Sequence, residues 1–283
     1  MEYNKEKLVI QSVQGAISNP LSSRYCVDRE GRANILPGTG GITYNVKVGD
    51  PAFGLAGDHI EPGVSIKIDD GRKNRGLNFL VCIGNKAKVV SGEAEGTEGI
   101  VTGTHGGINH VLLHFENEQL EDMKIGDKIL IKAHGQGLSL KNYPEIKCYN
   151  LAPALLKKMN IKTYNQGIEV PVTATIPGRL MGSGIGAAHS ASGDYDITSG
   201  SKEIKKLGLD KLKLGDLVYL ENCDNTYGRE YHEQAGTIGI IIHSDCVRMG
   251  HGPGVTTLLT SKRSLINPVI DEKANISNYF NLG

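Results

Sequence analysis

Between residues 241 and 254 the sequence reads "IIHSDCVRMGHGPG", bringing His243, Asp245, Cys246 and His251 close together. Imidazole, carboxylate and thiolate are the groups that hold divalent metals or move protons near neutral pH. His243 and Asp245 share a face if the stretch is extended, and His251 returns from the turn that follows. Gly252 and Gly254 flank Pro253 in a rigid turn whose N–H groups can support an anion or an oxyanion. Cys246 beside a histidine is a candidate nucleophile. The spacing matches no standard zinc motif, and the competing structural account is a decorated turn after a buried strand.

Four other stretches carry similar groups. In "GLAGDHIEPG" Asp58 and His59 form a ligand-plus-orienter pair, with Glu61 nearby. Neighbours in an extended stretch point opposite ways, however, so the two do not serve one atom. In "GTHGGINHVLLHF" His105 sits among glycines and is accessible, whereas His110 and His114 fall on one face of a half-buried strand and are hydrogen-bonded there. Val111 follows His110, so the zinc-peptidase helix motif, which needs Glu at that position, is absent. In "LMGSGIGAAHSASGDYDITSGS" Asp194 and Asp196 share a face if extended, as a carboxylate pair or as turn caps. "GSGIG" lacks the dinucleotide fingerprint and its strand–turn–helix setting, so no nucleotide cofactor is expected. Finally, "ENCDNTYGREYHEQ" offers Asp224, Arg229, Glu230, His232 and Glu233 on a polar loop, suited either to a substrate or simply to water.

Strands must position these loops. "KLVIQSV", "ANILPG", "SIKID", "NFLVCIG", "KAKVV", "GIVTGTHG", "HVLLHF", "IEVPVTATI", "TIGIIIHS" and "VTTLLT" are short, rich in Val, Ile and Thr, and bounded by turn residues. A step of apolar–Lys–apolar followed by Gly-Asp recurs at "NVKVGD", "DMKIGD" and "KLKLGD". It predicts a tight turn with a local aspartate cap, as at barrel corners. Helices are expected at 150–160, with Asn150 as cap and Pro153 in the first turn, and at 199–209. The fold is therefore expected to be mainly β, as two β-barrel-like domains with a few short helices, divided into 1–149 and 150–283.

Composition removes several classes. The 31 basic and 31 acidic residues balance, Trp is absent and Phe numbers four, so neither a basic footprint nor stacking platforms favour nucleic acid. The apolar runs are too short to span a bilayer. Five scattered cysteines without a CxxC point to reduced thiols, and with no signal-peptide pattern a cytoplasmic location is expected. The 37 glycines without a Gly-X-Y period imply many turns and close backbone approaches.

The segments "VPVTATIPGRLMGSGIG", "LGLDKLKLGD", "AGTIGIIIHSDC" and above all "GHGPGVTTLLT" resemble an uncharacterised bacterial and archaeal family, domain of unknown function 4438. That resemblance covers nearly the whole chain. It implies a RIFT-related β-barrel in the N-terminal half, a second β-rich domain and a cytoplasmic protein, and carries no established activity. "SGDYDI" and "YHEQAGTIG" are more faintly similar to the acetamidase/formamidase family, though in a different order and spacing.

Together these point to a metal-dependent hydrolase of a small amide, lactam or related carbonyl compound. Its zinc, manganese or iron ligands would be drawn from His59, His105, His243, Asp245 and His251. Asp194 or Asp224 would be the base, Cys246 the alternative nucleophile, and Gly252 and Gly254 the oxyanion support. The contrasting expectation is a non-enzymatic protein that holds a small anion or packs subunits through its glycine-rich segments. A small-molecule ligand and a homo-oligomer are expected under either.

Overall fold

The computed structural model describes residues 1–21 and 25–283. In the N-terminal half, strand Ile10–Ile17 pairs with Lys128–His134, which pairs in turn with Lys86–Val89. The order continues through Glu98–His105, His110–His114 and Gly63–Lys67. The last strand returns to the first through Ala16 opposite Lys67 and Ile17 opposite Ile66, which closes a six-stranded antiparallel barrel. Closure leaves no unpaired edge. Val64, Ile66, Val101, Val111, Leu113, Ile129 and Ile131 fill its interior.

One expected strand is helical over its first three residues. "NFLVCIG" begins inside helix Gly71–Leu80, whose N-cap Asp70 accepts from the Lys73 N–H at 2.9 Å. Asn74 and Asn78, one turn apart on that helix, both donate to the Asn109 carbonyl, at 2.9 and 3.0 Å. The cap and this shared anchor keep the chain helical up to Leu80, and the β-branched Val81 and Ile83 lie beyond the helix. The helix expected over 150–160 forms as Pro153–Lys158, and that over 199–209 shortens to Glu203–Lys206.

The C-terminal half is β-rich but built as an open mixed sheet. Its order is Lys147–Cys148, Gly254–Ser261, Glu230–His243, Leu217–Asp224 and Ala174–Pro177, with Tyr195–Asp196 added against Gly254–Ser261. The outer pairing of Ala174–Pro177 with Leu217–Asp224 is parallel, and a separate three-stranded sheet contains a second parallel pair. Strand Glu98–His105 of the barrel packs onto this sheet, where Thr256 Oγ1 donates to the Thr104 carbonyl at 3.1 Å. Among the described residues no helix is long and apolar enough to cross a membrane.

The repeated Gly-Asp step folds the same way three times. Asp50, Asp127 and Asp216 each accept, through a side-chain oxygen, from the N–H of the lysine three residues earlier, at 2.8, 2.8 and 2.7 Å. Gly49, Gly126 and Gly215 all have positive φ, of 98°, 93° and 85°, which a β-carbon would strain. Loss of such a cap costs about 1 kcal/mol. Asp127→Ala is expected to lower unfolding stability by about that amount in a denaturant titration. Asp216→Ala should cost more, because its buried carboxylate also accepts from Asn275 Nδ2 at 2.8 Å.

Candidate metal centre

Gly254 lies between two chemically active residues. Across the sheet it pairs with His243 on one side and with Asp196 on the other. A β-carbon on Gly254 would fall 2.0 Å from Asp194 Oδ2 and 2.3 Å from His243 Nε2. The missing side chain is the space in which the imidazole and the carboxylates meet. This gives Gly254 a different role from the expected N–H donor. Gly252 is a tight-packing residue as well, since its β-carbon would lie 2.0 Å from the Ile197 carbonyl oxygen.

Two pieces of the N-terminal half complete the centre. His105 ends the barrel strand Glu98–His105, where the chain turns through Gly106 and Gly107. Gly106 N–H donates to Asp194 Oδ1 at 2.6 Å, which fixes that carboxylate against the turn. The His59 loop is laced to the residues after His243. Ser244 N–H donates to the Ile60 carbonyl at 3.0 Å, Ser244 Oγ accepts from the Ile60 N–H at 2.9 Å, and Asp245 N–H donates to the Ala52 carbonyl at 2.7 Å. His59 itself adopts a left-handed conformation, with φ of 56°, which is uncommon outside glycine and asparagine.

Four imidazoles thus converge from distant segments. The His105 and His243 ring centres are 4.3 Å apart, His59 and His243 4.9 Å, and His59 and His251 5.3 Å. In three of them the Nδ1 side is held by a partner. His105 Nδ1 donates to Glu61 Oε1 at 2.5 Å, His243 Nδ1 to the Ser244 carbonyl at 2.8 Å, and His59 Nδ1 lies 3.2 Å from Asp58 Oδ1. At His105 and His243 this leaves Nε2 free to act as a donor atom, whereas His59 Nε2 lies 3.3 Å from His251 Nδ1 and 3.6 Å from Asp196 Oδ2. Holding one ring nitrogen while presenting the other is how metal-binding histidines are oriented.

The charges around them are confined. Glu61 is fully buried, and its carboxylate also accepts from His110 Nδ1 at 2.9 Å, Ser65 Oγ at 2.5 Å and Gly40 N–H at 2.6 Å. Burial opposes the charge on Glu61, but the bonds from His105 and His110 hold its pKa well below the usual carboxylate range. Burial likewise opposes charge at Asp196, where contacts with His243, His251 and His59 overcome it and hold the pKa far down. For His59, burial is outweighed by its contacts with Asp196, Asp58 and Cys246, and the pKa rises to about 11. His243 is raised in the same way, against burial, chiefly by the charge of Asp194.

His243 Nε2 and Asp194 Oδ2 lie 2.9 Å apart, both buried, yet neither makes a well-directed hydrogen bond. Two buried atoms of that kind, aimed at one place, suit a cation between them better than each other. Three sets of donor atoms, each set lying within 4.8 Å, satisfy the same test: His105–Asp194–His243, His59–Asp196–His243 and His59–Cys246–His251. The mixture of nitrogen, oxygen and sulfur donors fits a transition metal rather than calcium or magnesium.

Of the residues expected from sequence, His59, His105, His243, His251, Asp194 and Cys246 come together. Asp245 does not. Its Oδ1 accepts from the Cys246 N–H at 2.6 Å and lies 3.6 Å from Arg29 Nη2, because adjacent residues of an extended turn face opposite ways. Asp224 is also elsewhere. Its carboxylate accepts from Thr226 N–H and Oγ1, at 3.0 and 2.5 Å, and faces Lys262 at 3.3 Å. Glu61 joins the centre as the shared partner of His105 and His110, a link that the sequence does not show. Only a strand register could reveal that Glu61 reaches both His105 and His110, which face each other in one hairpin. Asp196 was visible as half of an extended carboxylate pair. Cys246 is buried, and burial raises its pKa, so as a free thiol it is a poor nucleophile.

The cluster forms the floor of a cavity of about 590 Å³. Its wall includes His59, His105, Asp194, Asp196 and His251, with Arg75, His189 and Arg229 around them. Arg229 is buried and donates to the carbonyls of Asp194 and Ser192, so it pins the loop that carries Asp194.

The search of curated proteins gives no match to the chain. Among solved structures, one described as "Crystal structure of TM1086" is 50% identical, covers 99% of this chain and 99% of that one, and superposes with a TM-score of 0.95. A family model described as "Domain of unknown function (DUF4438), N-terminal" matches residues 25–157, and one described as "Domain of unknown function (DUF4438), C-terminal" matches residues 158–280. The chain therefore belongs to the DUF4438 family.

Proposed function

We propose that the protein is a metal-dependent hydrolase of a small amide, lactam or related carbonyl compound, with His105, Asp194 and His243 as ligands of its ion. The observation that carries this is the buried, unpartnered pair His243 Nε2 and Asp194 Oδ2 above Gly254. Two histidines and one carboxylate are a common ligand set for a hydrolytic zinc, and manganese or iron accept the same donors. A bound ion would supply a Lewis acid for the carbonyl and an acidified water.

The chain's own groups have separate tasks. Glu61 holds His105 in one tautomer and sends its Nε2 inward. Arg229 fixes the Asp194 loop through carbonyls 192 and 194. Arg75, exposed on the cavity wall, suits a carboxylate or polarised oxygen of the substrate. His189, exposed on the same wall and outside the ligand sets, is assigned the transfer of a proton to the departing nitrogen. The cavity volume suits a small molecule.

Elemental analysis of the purified chain is expected to find a divalent transition metal, and His105→Ala or His243→Ala to remove it. Turnover of a panel of small amides and lactams should fall with the metal. A loaded protein that retains such compounds without cleaving them belongs instead to the binding class. Glu61→Gln touches no ion, yet should weaken metal affinity about 10–100-fold by releasing His105. Gly254→Ala is expected to abolish binding, because its methyl group occupies the space between Asp194 and His243.

Metal binding should also release protons. Against burial, the charge of Asp194 raises the pKa of His243, one of the three ligands, which favours a proton on that ring without metal. An entering ion would displace that proton, so affinity is expected to rise with pH and to weaken roughly tenfold per unit of acidification for each proton lost. Calorimetric titration in buffers of different protonation enthalpy reads the number released. An affinity unchanged between pH 6 and 8 would contradict this view.

A further inference from the structure

The three donor sets overlap, and the overlap limits how they can be filled. His59 belongs to two of them and His243 to two. Each imidazole nitrogen binds one ion, so sets that share a histidine cannot both be occupied through it. The two sets without a common residue are His105–Asp194–His243 and His59–Cys246–His251. Asp196 stands between them. Its Oδ1 lies 3.6 Å from His243 Nε2, while its Oδ2 lies 2.9 Å from His251 Nδ1 and 3.6 Å from His59 Nε2. One oxygen therefore faces each set.

We propose that the centre holds two metal ions, with Asp196 as the bridging carboxylate and His59, Cys246 and His251 as ligands of the second. The proposal rests on the metal reading of the first set. Ions in two-metal hydrolytic sites stand roughly 3.5–4 Å apart and clamp both the attacking and the departing atom of a displacement. Cys246 gives the second set a soft donor, which favours zinc over manganese there. It also gives the buried thiol a task that its burial denies it as a nucleophile.

The full chain, stripped of metal and dialysed against zinc, is expected to bind two ions. Cys246→Ser, nearly equal in shape, and His251→Ala, at a partly exposed position, should each retain one ion while the affinity of the other falls by at least about 100-fold. Cobalt-loaded protein should show a thiolate charge-transfer band that Cys246→Ser removes. Asp196→Asn should weaken both ions together. Thermal unfolding of the metal-free variants checks that they fold. A single ion lost in His105→Ala but indifferent to Cys246→Ser and His251→Ala overturns the second site and leaves the hydrolase reading intact. A single ion lost in all three variants overturns the division into two sets. Asp196→Asn weakening one ion alone overturns the bridge, and no bound metal overturns both readings.

Discussion

Everything in the centre depends on a side chain that is not there. Gly254 lies in the middle of three strands, with His243 paired on one side and Asp196 on the other. In a sheet, neighbours across the ladder on one face sit about 5 Å apart, and the residue between them normally fills the gap. At Gly254 the gap stays open, and Asp194 and His243 close over it. The strand's other residues are buried, so the sheet cannot readily relax to accommodate a methyl group.

The second dependence is electrostatic. Asp58, Glu61, Asp194 and Asp196 are buried carboxylates, gathered with four imidazoles in a small volume. Burying charge is costly unless it is paired and hydrogen-bonded, and removal of one partner is worse than removal of both. The protein meets this cost with imidazole contacts, as from His105 and His110 to Glu61, and with backbone N–H groups such as those of Gly40 and Gly106. An ion bound there would stabilise the folded chain by an amount that grows with the logarithm of its affinity. Stability and metal loading would then be linked through the same residues.

The barrel and the open sheet share this task unequally. The barrel is closed, so its strand ends are fixed and His105 can be delivered with little freedom. His59 comes from a loop instead, and the loop is made rigid by pairing with residues 244 and 245 and by the bond from Asp58 N–H to the Pro37 carbonyl. His243 and the loop that laces His59 thus come from one short stretch of chain. Arg229 adds a further restraint by holding the Asp194 segment through its carbonyls. Preorganisation of this kind is what a metal or substrate site needs, since ligands held in place lose little entropy on binding.

The sequence by itself determined the β-rich class, the three aspartate-capped turns and most of the side chains that gather at the candidate centre. These are local matters: alternation, Gly-Asp turn chemistry, and histidines or aspartates set among glycines. It also placed Asp194 and Asp196 on one face, because strand geometry alone dictates that. It could not separate Asp245 from the donors beside it, since whether a turn residue faces in or out depends on what packs there, here Arg29. It could not find Glu61 as the partner of His105 and His110, nor exclude Asp224, because those facts rest on strand register and on contacts between residues far apart in the chain. Only the tertiary structure decided that His59 and His105 meet His243 and His251. Sequence periodicity fixes which way a side chain points from its own strand, but which strand lies opposite is set by how the two halves pack.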